Sequence, residues 1–267
     1  MSGRLGPRLS SGCRAGSGER ARSDGRILLH VSRRTRITIT AALALALCAS
    51  LIAAVAVVPA SGASAAATRA VAPRPPITQK YIAFGAKRKA ETAAYNKWHY
   101  HQDTYVLTDP HVIVLHFTAG SNWMSAWNTF NNDSKYMSTP GHWEYPGTSA
   151  HFIVCKDGTI IQCLPLNLRG RHAIGMNWTA IGIEIVQEVP AGKTGHWADQ
   201  QILNRPKQID AVLKLVRYLQ GRFNIKTSNV IGHAMANSSP YFKDYTGAKN
   251  ATGDWVKQDV LQLRARL

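Results

Sequence analysis

A 22-residue apolar run, Ile37–Val58, decides where this chain can build a domain. Arg33, Arg34 and Arg36 precede it, Pro59 ends it, and the small residues SGASAAA follow. A basic flank, an apolar stretch and the A-x-A site Ala63-Ser64-Ala65 form an export signal, with cleavage expected near Ala65. The alternative is an uncleaved anchor, because 22 apolar residues also span a bilayer. Ser32-Arg33-Arg34 only weakly resembles a twin-arginine signal, since Arg36 stands where that pattern wants an apolar residue. Leu47 before Cys48 argues against lipidation. Residues 1–36, rich in Gly, Ser and Arg, read as a disordered basic region.

Charge divides the chain in the same way. The 267 residues carry 32 Lys+Arg against 15 Asp+Glu, a net of +17. Residues 1–36 hold +7, residues 37–65 hold none, residues 66–100 hold +6, and residues 101–267 only +4. Basicity concentrated outside the folding part is no argument for a nucleic-acid partner. Residues 66–104 read as a basic, Pro-containing linker, with a poorly patterned helix over 83–100 and Trp98-His99-Tyr100-His101 as a polar surface stretch.

The regular elements begin at His111. VIVL (112–115) is a buried-type strand ending in His116, and Asn122–Asn131 is a helix with Trp123, Trp127 and Phe130 on one face. A Gly/Pro/aromatic loop, STPGHWEYPGTS, follows. HFIVCKDGTIIQCLP is a hairpin turning through Asp157-Gly158. IGIEIV (181–186) is a second buried strand. Ile209, Val212, Leu213, Val216 and Leu219 mark a helix that Gly221 closes or that holds Gly221 in its last turn. NVIG (229–232) is a last strand ending in His233, and Asp254 stands where it would cap a C-terminal helix. This alternation predicts one α/β domain over 105–267, a central mixed sheet flanked by helices.

Of four cysteines, Cys13 and Cys48 leave with the signal. Cys155 and Cys163 fall on opposite faces if the hairpin loop has two residues. With three they share a face, but roughly 13 Å apart. Either spacing exceeds the reach of a disulfide, so both are expected as free core thiols.

Two histidines ending strands, His116 and His233, join Glu184, a carboxylate inside an apolar strand that is costly to bury without a partner. His116-Phe117-Thr118-Ala119, Ser149-Ala150-His151-Phe152, Lys156-Asp157-Gly158-Thr159, Arg171-His172-Ala173, Asn177, Ile181-Gly182-Ile183-Glu184-Ile185 and Gly232-His233 occur in that order. Over roughly 105–267 this set resembles the zinc-dependent N-acetylmuramoyl-L-alanine amidases related to peptidoglycan recognition proteins.

The resemblance implies zinc held by His116, His233 and a third ligand, Asp254 with Asp244 as the alternative. Glu184 is then the general base, because Ala150 stands where some relatives place a tyrosine. His151, His172 and Asn177 are candidate substrate contacts, as are Trp123, Trp143 and Trp178. The family's Lys-x-Asp is missing. Thr252 or Phe242 occupies the lysine position, leaving Lys243, Lys249 or His172 to supply a positive group. The implied function is that of a secreted bacterial peptidoglycan hydrolase, a monomer cutting the amide between N-acetylmuramic acid and L-alanine of the stem peptide by zinc-activated water. Its basic linker is a candidate contact for anionic wall polymers, and it meets the membrane only through its signal. The rival reading is a peptidoglycan-binding module that has lost catalysis. An unrelated zinc peptidase lacks its HExxH helix here.

Overall fold

The computed structural model describes residues 72–139 and 141–267, so the signal segment and the basic N-region lie outside the described residues. Six strands form a mixed sheet in the order β1-β6-β5-β7-β2-β8. They are β1 (Thr78–Gln79), β2 (Val112–Ala119), β5 (Phe152–Val154), β6 (Ile160–Gln162), β7 (Ala180–Glu188) and β8 (Val230–Gly232). Only the β5–β6 pair is antiparallel. The central β2 and β7 are apolar runs, as strands covered on both faces must be. Among the described residues no helix is long and apolar enough to cross a membrane.

Helices α3 (Gly195–Leu203), α4 (Pro206–Phe223) and α5 (Lys257–Arg264) cover one face, packing on Ile113, Leu115, Phe152, Ile181, Ile183 and Ile185. The apolar spacing of 209–219 lies inside α4, which starts on a proline and runs past Gly221 to a left-handed Asn224. Helix α2 (Trp123–Asn131) covers part of the other face and sets Phe130, Trp123 and Trp127 against Ile153, Ile161 and Val186. The Asn122 side chain caps it, accepting from the Ser125 N–H.

The hairpin has a three-residue loop. Cys155 and Thr159 close it, Gly158 takes φ +91°, and the Asp157 carboxylate accepts from the Thr159 N–H. Cys155 and Cys163 therefore share one face, and both are free and buried.

Three expectations need correction. First, the linker does not extend over 66–104. From residue 72 the chain packs on the domain: β1 pairs with β6, and α1 (Ala86–Tyr100) buries Arg88, Thr92, Tyr95, Asn96, His99 and Tyr100. Those positions recur at helical spacing, but the stripe is polar and aromatic, so hydrophobic periodicity could not reveal it. Arg88 is anchored by donating to the carbonyls of Phe130 and Gly147. Second, the loop after α2 contains a small hairpin, β3 (Tyr136–Thr139) with β4 (His142–Glu144). Third, Asp254 does not cap α5. That helix begins after Val256 without a side-chain cap, and Asp199 of α3 accepts the N–H groups of Trp255 and Val256 instead.

Candidate metal centre

Strands β2, β7 and β8 run parallel, and the chemistry sits in the middle of β2 and β7 and just past the end of β8. His116 lies in β2 directly beside Glu184 of β7 in register, so both side chains leave the same face of the sheet. His233 follows the last residue of β8. Asp254 arrives from a distant loop because the Trp255 backbone crosses directly over Gly232. A Cβ there would meet the Trp255 carbonyl oxygen at 1.7 Å. The Ala234 N–H pins the Asp254 carbonyl at 3.0 Å. Gly232→Ala should therefore push the Asp254 segment off the sheet, lowering the melting temperature and weakening metal binding together. Unchanged melting in a thermal scan would contradict this packing.

The geometry at the centre is tight. His116 Nδ1 lies 3.1 Å from His233 Nδ1. The Asp254 carboxylate oxygens stand 3.3 Å from His116 Nδ1 and 3.2 Å from His233 Nδ1. One ligand atom from each residue lies within 4.8 Å of the others. The outer ring nitrogens are engaged: His116 Nε2 with His172 Nδ1 at 3.1 Å, and His233 Nε2 with Asn250 Oδ1 at 2.9 Å. Burial, then the nearby His233, holds the His116 imidazole below its ordinary pKa, against the pull of Asp254. Burial works to raise the Asp254 carboxyl, but its bonds to His116 and His233 outweigh that and hold it well below the carboxylate range. Thr252 donates to the same carboxylate at 2.6 Å.

Glu184 is half-buried, and its Oε2 is buried without a hydrogen-bond partner among the described residues. Burial, then the charge of Asp254, pushes its carboxyl up to about 8. It lines a cleft of about 250 Å³ together with His116, His233, Asp254, Thr118 and Ser125. A wider cleft of about 470 Å³ adjoins this one through Thr148, Arg171, His172 and His233, and Tyr136, Lys249 and Thr252 line it.

The remaining candidates sort by what they touch. Asp244, the alternative third ligand, is absent from the centre. It binds His99 Nδ1 at 2.6 Å, while His99 Nε2 binds Glu144 at 2.9 Å, in a buried network that Arg171 completes. His99 is thus wholly buried and not a surface residue. His151 is also wholly buried. Its Nε2 donates to the Leu168 carbonyl and its Nδ1 accepts from the Gly182 N–H, so neither nitrogen is left for substrate. Asn177 lines the wider cleft, but its amide is engaged within the domain: its Oδ1 accepts from the N–H groups of His172 and Ala173, and its Nδ2 donates to Tyr95 Oη. It shapes the loop that carries His172.

His172 does border both clefts, lying over Gly182, where a Cβ would strike its ring at 2.7 Å. Burial, then the other histidines, keeps it neutral by depressing its pKa well below the usual value. Trp178 donates to the carbonyls of Gly175 and Tyr241, Trp123 packs at α2, and Trp143 stays exposed. Lys243 lies near the Trp178 and Tyr245 rings, away from the centre. Asn250 and Thr252, which hold the ligands, were not legible as such. Only their closeness to Asp254 in sequence hinted at them.

Two imidazole nitrogens and a carboxylate converging beside a carboxyl of the neighbouring strand, on one face of a mixed sheet, define a class: an α/β domain with a set of side chains suited to holding a metal ion. The chain belongs to the N-acetylmuramoyl-L-alanine amidase family, whose sequence profile matches residues 107–252. Among solved structures, it is similar to a mutant endolysin from Bacillus subtilis at 26% identity, covering 59% of this chain and 83% of that one, with a TM-score of 0.38. The endolysin amidase LysCS from Clostridium intestinale URNW is similar at 24% identity, covering 61% and 84%, with a TM-score of 0.39. The N-acetylmuramoyl-L-alanine amidase LysC from the same organism is similar at 21% identity, covering 72% and 97%, with a TM-score of 0.42. No curated protein matches this chain.

Proposed function

We propose that this chain is a secreted peptidoglycan hydrolase that cleaves the amide between N-acetylmuramic acid and L-alanine of the stem peptide, with one zinc ion held by His116, His233 and Asp254. The convergence of three electron-rich ligand atoms within 4.8 Å carries this reading. Two imidazole nitrogens 3.1 Å apart, each within 3.3 Å of a carboxylate oxygen, can share a proton or hold a cation, and two nitrogens with one oxygen suit zinc. Bound there, zinc supplies Lewis acidity that polarises an amide carbonyl and acidifies water.

The chain's own residues supply the rest. Glu184, which lines the cleft beside the three ligands, takes the proton from the attacking water and returns it to the departing amine nitrogen. The two adjoining clefts receive the sugar and the peptide on either side of the scissile bond. Lys249 in the wider cleft is the lysine placed to meet substrate negative charge, since Lys243 lies elsewhere.

Zinc titration of the full-length protein tests the centre: one ion per chain is expected, and each of His116→Ala, His233→Ala and Asp254→Ala should lose it. Stoichiometric binding that survives all three substitutions would remove these residues from the role. A non-catalytic peptidoglycan binder is the second reading, favoured by Thr252 at the position of the family's lysine. Secretion through the apolar run 37–58 with cleavage near Ala65, and contact of the basic segment 69–89 with anionic wall polymers, belong to this proposal.

A further inference from the structure

We propose that Asn250 is a positioning residue for the metal centre, fixing His233 in the one tautomer whose Nδ1 lone pair faces Asp254 and His116. The inference rests on the zinc reading above and names a residue which that reading does not use. Every hydrogen-bonding capacity of the Asn250 amide is occupied. Its Oδ1 accepts from His233 Nε2 and from the Ile174 N–H, both at 2.9 Å. Its Nδ2 donates to the Ile174 carbonyl and to Asn237 Oδ1, again at 2.9 Å.

The Ile174 backbone fixes which way the amide points. Flipped, the NH₂ would confront the Ile174 N–H, and the oxygen would confront the Ile174 carbonyl. The oxygen therefore faces His233, so a proton sits on Nε2, and in the neutral ring Nδ1 is the acceptor. The Asn250 backbone is held as firmly: its N–H donates to Asn237 Oδ1 at 3.0 Å, and its carbonyl accepts from Asn237 Nδ2 at 2.8 Å.

The contact with Ile174 also reaches the other ligand. Ile174 lies two residues after His172, whose Nδ1 pairs with His116 Nε2 at 3.1 Å. One loop thus delivers Asp254, orients His233 through Asn250, and braces the segment that orients His116. Partners of this kind raise ligand basicity and restrict ring rotation, and their loss costs about 10–100-fold in metal affinity.

The test is zinc affinity of the full-length protein by competition with a chromophoric chelator, for the wild type, Asn250→Leu and Asn250→Asp, with thermal melting of each metal-free form. Asn250→Leu removes the acceptor and should weaken zinc binding about 10–100-fold. Asn250→Asp keeps the acceptor but loses both amide donors, so it should melt lower while binding zinc as the wild type does. Wild-type affinity in Asn250→Leu, or equal losses in both variants, would overturn the proposal. If neither variant folds, long-range ¹H–¹⁵N spectra of the metal-free wild type decide: a proton on His233 Nε2 supports it and an unprotonated Nε2 overturns it. A wild type that binds no zinc would instead strike down the metal reading itself, a result distinct from an indifferent Asn250.

Discussion

Glu184→Gln lowers the rate of amide cleavage by about 10²–10⁴-fold, the range general acid–base catalysis contributes, and leaves zinc affinity near that of the wild type. The carboxyl sits in the middle of β7, held by pairing to β2 and β5 on either side, so its position is fixed by the sheet. It is not among the three residues whose ligand atoms converge. Its Oε2 is buried without a partner, and burial followed by the charge of Asp254 pushes its pKa up to about 8. A carboxyl whose proton affinity is matched to neutral pH can accept a proton and give it back, which an amide of the same shape cannot do. The substitution buries a neutral group where a carboxylate was costly to bury, so the fold should not suffer. Mass spectrometry of released stem peptides measures the rate, and turnover retained by Glu184→Gln would take the residue out of the mechanism.

His99→Leu should cost the domain about 3–5 kcal/mol, the range for removing one partner of a buried ion pair. His99 is fully buried between Asp244 and Glu144, and Arg171 supplies the second positive charge. Burial opposes the imidazolium, but bonds to both carboxylates prevail and raise its pKa. Burial likewise opposes the two carboxylates, yet His99 prevails and lowers both pKa values. The raised imidazole contributes stability that is complete below its unfolded pKa and is lost as pH rises through the folded value. The depressed carboxylates contribute stability present above their unfolded pKa and lost as pH falls through the folded values. The wild type should therefore be most stable between these limits. In His99→Leu, Asp244 loses its only cation partner among the described residues, its pKa rises, and acid unfolding begins at higher pH. Denaturant melts across pH would show this, and an unchanged acid limit would contradict the charged network.

How much of this could be read from sequence depended on what kind of pattern each element carries. Strands β2 and β7, the Asp157-Gly158 hairpin and α4 carry apolar periodicity, and the structure places them where those patterns do. Helix α1 was nearly invisible because its buried stripe is Arg88, Thr92, Tyr95, Asn96, His99 and Tyr100, whose burial depends on partners up to 145 residues away. His116, Glu184 and His233 were legible because each breaks or ends an apolar strand. His151 spends both ring nitrogens on backbone groups, and Asn177 spends its amide on backbone N–H groups and Tyr95, which no spacing rule reveals. Asp254 and Asp244 could not be separated by distance from His233 alone. The crossing of Trp255 over Gly232 selects the first, and the buried His99 claims the second.

The most direct test of the central claim is mass spectrometry of purified muropeptides incubated with the protein, with and without a zinc chelator. Release of free stem peptides beginning at L-alanine, abolished by chelation and restored by zinc, is the predicted result. Muropeptides left intact by the zinc-loaded protein would contradict the hydrolase and leave a binding module whose Thr252 stands in place of the family's lysine.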